Sequence, residues 1–229
     1  GPGKSKKYLR ELLEKEVSTI VLESTNQALW LNEVAADMGR TVDVLLRGQL
    51  DWESEKSVLG GSEITPFGVT MDEWSQLNFE ELPHINIRGF HVFQWGNLLD
   101  LNRLEVIWTQ ISEQVQLYAQ KMNVENYVLD LGGGIGIPYQ ADQKPVRKED
   151  ALEVLKRVKQ KAQASEIWLE LGRYAIGEYG VYCSQVVDQK VVKGKKIKNI
   201  EGGINHLLRP PLTQENFPVR VLVKKKKKN

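Results

Sequence analysis

Disulfide bonds, membrane-spanning segments and a strong net charge are all missing from this sequence of 229 residues. Cys183 is the only cysteine, so no disulfide can form within the chain and nothing indicates an oxidising compartment. No apolar run approaches the roughly 20 residues of a transmembrane helix, and the start of the chain has no signal-peptide core. We therefore expect a soluble, cytoplasmic protein with no membrane partner.

The two signs of charge are nearly balanced, because 31 lysines and arginines stand against 30 acidic residues. Five of the lysines form the run 224–228, and without them 26 basic residues remain against the same 30 acidic ones. Such a mildly acidic body lacks the basic surface of a nucleic-acid-binding protein, so we expect no nucleic-acid partner. We interpret the basic tail 224–229 as a solvated end, with an interaction segment as the alternative.

Segments of helical and strand character alternate over the first 177 residues. Periodic apolar residues predict helices over residues 4–17, 26–40, 71–82, 101–122 and 148–164. In the second helix we expect the core to be faced by Ala28, Leu29, Leu31 and Val34. Short apolar runs predict strands over 19–22, 41–46, 85–93, 127–131 and 166–171. This alternation indicates a parallel sheet, either a barrel or an open doubly wound sheet.

The pattern changes near residue 178. Strand-like runs then follow one another without helices between them, over residues 182–187, 190–192 and 197–200. We therefore predict that residues 178–223 are the start of a C-terminal antiparallel β domain. Cys183 is expected to be a packing residue within the first of these strands.

A glycine-rich turn follows the predicted strand 127–131. Its glycines are Gly132, Gly133, Gly134 and Gly136. Without side chains, the backbone N–H groups of such a turn can approach a phosphate closely, although a simple tight turn is the alternative. The spacing and late position do not fit a dinucleotide-binding fold. In a barrel, by contrast, loops after late strands often bind phosphate.

The predicted strand 166–171 ends in a carboxylate and a guanidinium, Glu170 and Arg173. These groups suit a cationic ring nitrogen and a phosphate, so together with the glycines they predict a phosphorylated cofactor. The alternative for this pair is an ion-paired loop corner. His91 is a core histidine or a functional residue, and Arg209, beside two prolines, is a candidate surface residue.

Four spaced motifs resemble those of pyridoxal-phosphate decarboxylases of the alanine-racemase fold type, fold type III. They are found at residues 89–93, 129–139, 170–173 and 202–210. The resemblance is closest to the diaminopimelate and ornithine decarboxylase family and runs from residue 1 to about residue 220. It implies a partial TIM-like (β/α)8 barrel over residues 1–177, followed by the start of the β domain.

The resemblance also implies the cofactor, pyridoxal 5'-phosphate, and the residues that bind it. The cofactor-binding set is Gly132, Gly133, Gly134, Gly136, Gly172 and Arg173 at the phosphate, Glu170 at the pyridine nitrogen, and His91 and Phe93. Arg209 is implied as a ligand of the substrate carboxylate. The implied reaction is alpha-decarboxylation of a small amino acid through an aldimine and a quinonoid, as in lysine biosynthesis, in a homodimer without a metal.

Some of the family's residues have no counterpart here. The Schiff-base lysine of the family precedes the matched region, and Lys4 does not match its motif. The general-acid cysteine comes later than residue 229, and Cys183 does not match it. We therefore assign no catalytic residue, and expect a chain that is truncated at both ends and inactive alone.

Other departures lie inside the matched region. Phe93 stands where diaminopimelate decarboxylases have a stacking histidine, and residues 94–97 replace a Gly-Ser-Gln turn. Residues 66–68 read Pro-Phe-Gly instead of Lys-Phe-Gly. Two alternatives to a decarboxylase stay open: a non-catalytic degenerate paralogue or gene fragment, and an amino-acid racemase of the same fold. Diaminopimelate, lysine, ornithine and a carrier-bound amino acid all remain candidate substrates.

Overall fold

The computed structural model describes residues 1–52, 56–57, 60–61, 64–140, 142–213 and 217–222. The strands are β1 Thr19–Leu22, β2 Val42–Gln49, β3 Lys56–Ser57, β4 Gly60–Gly61, β5 Val69–Thr70, β6 Ile85–His91, β7 Val128–Asp130, β8 Glu166–Trp168, β9 Val186–Val192 and β10 Lys195–Ile200. The α-helices are α1 Lys6–Glu14, α2 Thr25–Asp37, α3 Met71–Gln76, α4 Leu101–Lys121, α5 Lys148–Ala162, α6 Arg173–Ile176 and α7 Arg209–Thr213. The basic tail 224–229 lies outside the described residues.

The main sheet is parallel and keeps the strands in chain order, β1-β2-β6-β7-β8, with the short β5 paired to the end of β2. A doubly wound sheet reverses its strand order at a switch point. A barrel instead places each strand beside the one before it. The strand order therefore identifies an arc of a (β/α) barrel and decides between the two architectures that the alternating pattern allowed.

The core lies between this arc and the helices that connect its strands. Its largest fully buried side chains include Leu9 and Leu13 of α1, Leu31 of α2 and Trp108 of α4. Leu29, which the sequence placed in the core, is 42% exposed. The reason is helical geometry, because one residue turns the helix by about 100° and Leu29 follows the buried Ala28 directly.

Local capping fixes where the connecting helices begin. The side chains of Ser5, Ser24 and Asp100 accept hydrogen bonds from backbone N–H groups in the first turns of α1, α2 and α4. Thr70 and Glu73 form a complete capping box at the start of α3. These bonds satisfy donors that have no partner within the helix, so each strand passes into its helix at a defined residue.

The chain forms two compact units. The first comprises Gly1–Ile137 and Val146–Ala175, and the second comprises Pro138–Pro145 together with the chain from Ile176 onward. Within the second unit, β9 and β10 form an antiparallel hairpin whose turn residues Lys193 and Gly194 both have positive φ. β9 thus joins the predicted strand 190–192 to the last two residues of the predicted strand 182–187, and residues 182–185 are not in a strand. The domain boundary at residue 178 stays a prediction.

Two sequence expectations about the second unit need correction. Cys183 is exposed and precedes β9, so it is not a packing residue of a strand. Arg209 opens the short helix α7 and is half-buried instead of lying at the surface, and Pro210 follows within the first turn of α7, where a missing N–H is tolerated. Within the part of the chain that the structure describes, no helix has the length and apolarity to cross a membrane.

Gly89 provides a test of the fold. It lies where the register between β2 and β6 shifts, and a Cβ atom on it would overlap the backbone of Val128 in β7. We expect Gly89→Ala to lower the free energy of unfolding by about 2–4 kcal/mol in urea denaturation, because the backbone of β6 or β7 must move to admit the methyl group. The control is Gly180→Ala, where an added Cβ meets nothing within 4 Å. Equal stability of the two variants would contradict the conclusion that β6 and β7 have no room for a Cβ atom at residue 89.

Candidate functional site

Residues 132–134, which we name the glycine turn, follow β7 and have no room for side chains. Gly132 and Gly134 have φ values of 62° and 107°, which strain other residues. A Cβ on Gly132 would lie 2.6 Å from the side chain of Phe93, and one on Gly133 would lie 3.3 Å from the Glu170 carbonyl oxygen. Among the described residues, the N–H groups of Gly133 and Gly134 have no hydrogen-bond acceptor. The turn thus offers donors to an anion.

Gly136 has a different part in the site from the one the sequence implied. Its N–H donates to the carbonyl of Leu98 at 2.8 Å, and the Leu98 N–H donates to the Gly134 carbonyl at 2.8 Å. A Cβ on Gly136 would lie 2.8 Å from the backbone of Asn97. Gly136 therefore holds the glycine turn against the segment after β6, and its N–H is not available to a phosphate.

Three side chains with acidic or imidazole groups meet at the carboxyl ends of adjacent strands. His91 ends β6 and pairs in register with Asp130 at the end of β7, and Glu170 follows β8. One ligand-type atom from each of the three lies within 4.8 Å of the others. The Glu170 N–H also donates to the Gly132 carbonyl, which places the backbone of residue 170 directly beside the glycine turn. The parallel sheet thus brings together three side chains that lie far apart in the sequence.

The buried members of this group have strongly shifted pKa values. Burial raises the pKa of Asp130 to about 6, assisted by the nearby Glu170 charge and opposed by a hydrogen bond from the Gly132 N–H at 2.8 Å. Burial and then the charge of Arg47 lower the pKa of His91 to about 3. His91 is 2% exposed, and neither ring nitrogen has a hydrogen-bond partner in the described chain. A core histidine would normally have these bonds, so the ring is better suited to a ligand.

A buried ion pair that the sequence analysis missed lies beside this group. Arg47 of β2 donates to Glu23 at 3.0 Å, and the Arg47 guanidinium lies 4.6 Å from the centre of the Phe67 ring. Glu23 also accepts the Gly68 N–H at 2.8 Å. Gly68 has a φ of 69° and packs on the Arg47 backbone, so the Pro-Phe-Gly segment closes over the pair.

Lys4 adds a second cation to this side of the site. A space of about 200 Å³ is lined in part by Lys4, Glu23, Arg47, His91 and Glu170. Burial lowers the pKa of the Lys4 ammonium, while the Glu23 and Glu170 charges oppose that shift. A larger open space of about 480 Å³ borders Asp130 and Glu170.

The remaining residues that the sequence singled out fall into two groups. Phe93 packs against Gly132, and Gly172 donates its N–H to the Glu170 carbonyl at 2.9 Å just before Arg173 begins α6. Arg209 belongs to the second unit, so its contact with a substrate stays a prediction.

The unusual segment after Phe93 has a structural explanation. The Gln94 side chain accepts the Leu50 N–H at 3.0 Å and the Trp52 indole N–H at 3.2 Å, and donates to the Leu50 carbonyl at 3.0 Å. Gln94 therefore fixes the chain after β2 to the chain after β6. Its amide is committed to this packing and not to an anion.

The site can hold a phosphorylated, cationic ring. The glycine turn supplies N–H donors, Glu170 supplies a carboxylate beside them, and the half-buried Phe93 supplies an aromatic surface. A divalent cation is the other ligand that His91, Asp130 and Glu170 would accept. The donors of the adjacent turn favour an anion-bearing ligand over a bare cation.

The Glu23–Arg47 pair gives a second test. Its side chains are 2% and 9% exposed, so Arg47→Met leaves the buried Glu23 carboxylate without its guanidinium partner. We expect that variant to lose about 3–5 kcal/mol of the free energy of unfolding in denaturant titration. The control is Arg88→Met, whose ion pair with Glu166 is exposed and contributes little. Similar losses in both variants would show that burial does not determine the contribution of the pair.

His91 and Asp130 should affect acid stability in opposite directions. The folded pKa of His91 lies below its unfolded value of about 6.5, so stability falls as the pH drops from about 6.5 toward 3. The folded pKa of Asp130 lies above its unfolded value, so its contribution grows as the pH falls through about 6.

Thermal unfolding between about pH 4 and 7 tests these signs. We expect His91→Gln to be less acid-sensitive than the unchanged chain, and Asp130→Asn to be more acid-sensitive. A single group contributes at most about 1.4 kcal/mol per pH unit. Parallel stability curves for all three proteins would contradict the pKa directions.

The chain resembles known decarboxylases over most of its length. It is 27% identical over 230 aligned positions to diaminopimelate decarboxylase of Bacillus subtilis (strain 168), which covers 95% of this chain and 52% of the relative. It is 28% identical over 223 positions to 2-[(L-alanin-3-ylcarbamoyl)methyl]-2-hydroxybutanedioate decarboxylase of Staphylococcus aureus (strain NCTC 8325 / PS 47), covering 95% and 56%. The chain thus spans about half the length of these relatives.

The solved structures agree on the fold. The crystal structure of diaminopimelate decarboxylase from Helicobacter pylori complexed with L-lysine matches with a TM-score of 0.79, covering 98% of this chain and 57% of that one. At 21% identity this likeness shows the fold alone, and it confirms the predicted partial barrel. Residues 1–177 match the family model for the pyridoxal-dependent decarboxylase, pyridoxal binding domain. The chain therefore belongs to the pyridoxal-dependent decarboxylase family, which implies pyridoxal phosphate as its cofactor.

Proposed function

We propose that this chain supplies the cofactor-binding part of an amino-acid decarboxylase of the diaminopimelate decarboxylase type. One observation carries the proposal: the glycine turn after β7 lies against Glu170 after β8, joined by the bond from the Glu170 N–H to the Gly132 carbonyl. Phosphate donors and a ring-nitrogen acceptor are thereby side by side. Relatives named diaminopimelate decarboxylases support the substrate class.

The glycine turn would hold the cofactor phosphate. The N–H groups of Gly133 and Gly134 point to no acceptor within the described residues, so they can donate to phosphate oxygens. Gly132 cannot add a third such bond, since its N–H already donates to Asp130. Arg173, at the start of α6, would add positive charge beside the phosphate.

Glu170 would hold the ring nitrogen. A carboxylate there accepts the N–H of a protonated pyridine and favours the charged form of the ring. When bound, the cofactor supplies an electron sink for the pair released as carbon dioxide leaves the substrate. His91 stays neutral at physiological pH and so does not repel the ring cation, and Phe93 would pack on its face.

The complete enzyme needs groups beyond this site. No lysine in the chain matches the family's Schiff-base motif, so we propose that the chain binds the cofactor but does not turn over amino acids alone. Arg209 as a carboxylate ligand and a homodimeric assembly belong to the same proposal, which concerns a protein about twice as long as this chain.

Cofactor binding is directly measurable. Titration with pyridoxal phosphate, followed by absorbance and tryptophan fluorescence, should show saturable binding that inorganic phosphate competes away. We expect Glu170→Gln to weaken binding about tenfold, because a charge-assisted hydrogen bond is lost. The matched control is Glu166→Gln, at the start of β8 and paired with Arg88 outside the site, which should leave affinity unchanged.

Two results would contradict the proposal. One is the absence of saturable binding, and the other is equal affinity in the Glu170 and Glu166 variants. Borohydride reduction followed by peptide mass spectrometry then reports whether the bound cofactor is attached to a lysine. We expect no attachment, and modification of Lys4, which lines the space beside Glu170, would overturn that expectation.

A further inference from the structure

Asp130 is a buried acid at the centre of the site; it lies within the motif at residues 129–139, but the proposed function gives it no role of its own. It ends β7, is 3% exposed, and lies between His91 at the end of β6 and Glu170 after β8. Burying a carboxyl group so completely is unfavourable unless it is hydrogen-bonded or neutralised. Its position therefore calls for a specific role.

Two contacts connect Asp130 to both halves of the proposed cofactor site. Its Oδ1 accepts the Gly132 N–H at 2.8 Å, which fixes the first residue of the glycine turn. On its other side, a carboxylate oxygen of Asp130 lies within 4.8 Å of one from Glu170, and both are within that distance of a ring nitrogen of His91. Asp130 thus links the phosphate-binding turn to the carboxylate beside it.

The charges around the two carboxyl groups come from several elements. Arg47 of β2 acts on Asp130, Lys4 and Arg47 lie with Glu170 around the same small space, and His91 is neutral. Burial and Glu170 nevertheless raise the pKa of Asp130 to about 6. The negative charge of Glu170 so close by disfavours a second negative charge on Asp130.

We propose that Asp130 is the positioning residue for Glu170, and that in mild acid Asp130 holds a proton that it shares with the Glu170 carboxylate until a cationic ring nitrogen replaces it. The proposal rests on the proposed function. The proton leaves for water as the ring N–H binds, so the net charge of the two carboxyl groups and the ring nitrogen site is unchanged. The pair then presents two negative charges to the ring cation, which strengthens selection of the protonated ring over a neutral one.

The test compares pyridoxal phosphate with 1-deazapyridoxal phosphate, in which a C–H group replaces the ring nitrogen. Both carry the same phosphate, so the ratio of their affinities isolates the ring-nitrogen contact. A proton with an apparent pKa near 6 that competes with the ring cation should lower the preference for pyridoxal phosphate by about tenfold from pH 7 to pH 5. We expect this decrease in the unchanged chain.

The variant Asp130→Asn distinguishes two roles of Asp130: positioning Glu170 through a shared proton, and accepting the Gly132 N–H in the glycine turn. Asparagine keeps an oxygen acceptor for the Gly132 N–H and can donate to Glu170, but it cannot share a proton. We expect a preference for the ring nitrogen that no longer changes with pH in this variant. Glu170→Gln should lose the preference itself, and Glu166→Gln should behave as the unchanged chain does. Circular dichroism and thermal unfolding verify that each variant is folded.

The outcomes distinguish the two proposals. An Asp130→Asn protein with the same preference and the same pH dependence as the unchanged chain would reduce Asp130 to a turn cap and overturn this inference alone. An unchanged chain that binds both compounds equally would refute the ring-nitrogen role of Glu170 and with it the proposed function.

Calorimetry on the unchanged chain gives an independent measure. At about pH 6, titrations in buffers of different ionisation enthalpy should show more proton release with pyridoxal phosphate than with the deaza compound. Equal proton release would overturn the shared proton even if the Asp130 variant failed to fold.

Discussion

Parallel pairing of β6, β7 and β8 is the constraint on which the whole site depends. Parallel strands end at the same edge of a sheet, so groups far apart in sequence become neighbours there. The register pairs His91 with Asp130 and Asp130 with Trp168, two residues before Glu170. A shift of one residue in either pairing would turn these side chains to the opposite face and remove the site.

Close backbone approach, more than flexibility, explains the glycines of this region. Gly89 allows the β6 backbone to meet β7, Gly136 allows the glycine turn to meet Leu98, and Gly132 allows Phe93 to cover the turn. Each contact fixes a different side of the site. The glycine turn is therefore held in place by its surroundings, which fixes the direction of its remaining N–H groups.

The sequence predicted the strands β1, β2, β6, β7 and β8 of the main sheet and the helices between them because apolar periodicity is local, but it did not predict the two-residue strands β3, β4 and β5; the strand Thr19–Leu22 was predicted with its observed bounds. It could not choose between a barrel and a doubly wound sheet, because that choice depends on strand order, which no local pattern contains. Motif matching predicted Glu170 and the glycines as cofactor ligands, which stays a prediction, and it gave the Gly136 N–H a role for which its bond to the Leu98 carbonyl leaves it unavailable. Leu29 and Cys183 were wrongly predicted to be buried, because residue type and sequence spacing alone overestimate burial.

Asp130, Glu23 and Arg47 were missed for a related reason, although the sequence held a clue. Glu23 directly follows β1, Asp130 ends β7 and Arg47 lies near the end of β2, so all three are charged residues at the carboxyl ends of apolar strands. The same pattern identified Glu170. Applied to every strand, it would have predicted a polar cluster at this edge of the sheet, but not its pairing, because Arg47 and Glu23 are brought together only by the β1–β2 register.

The distribution of charge over this edge accounts for the kind of ligand it suits. The glycine turn presents backbone donors and no negative side chain except Asp130, whose acceptor oxygen is already bound to Gly132. On the other side, the two cations Arg47 and Lys4 face three carboxyl groups, those of Glu23, Asp130 and Glu170. If all three are ionised, one negative charge is left to be neutralised. A ligand with an anionic group at one end and a cationic ring at the other satisfies both regions at once. Neither a free phosphate nor a simple cation does so, because each leaves one of the two regions without a partner.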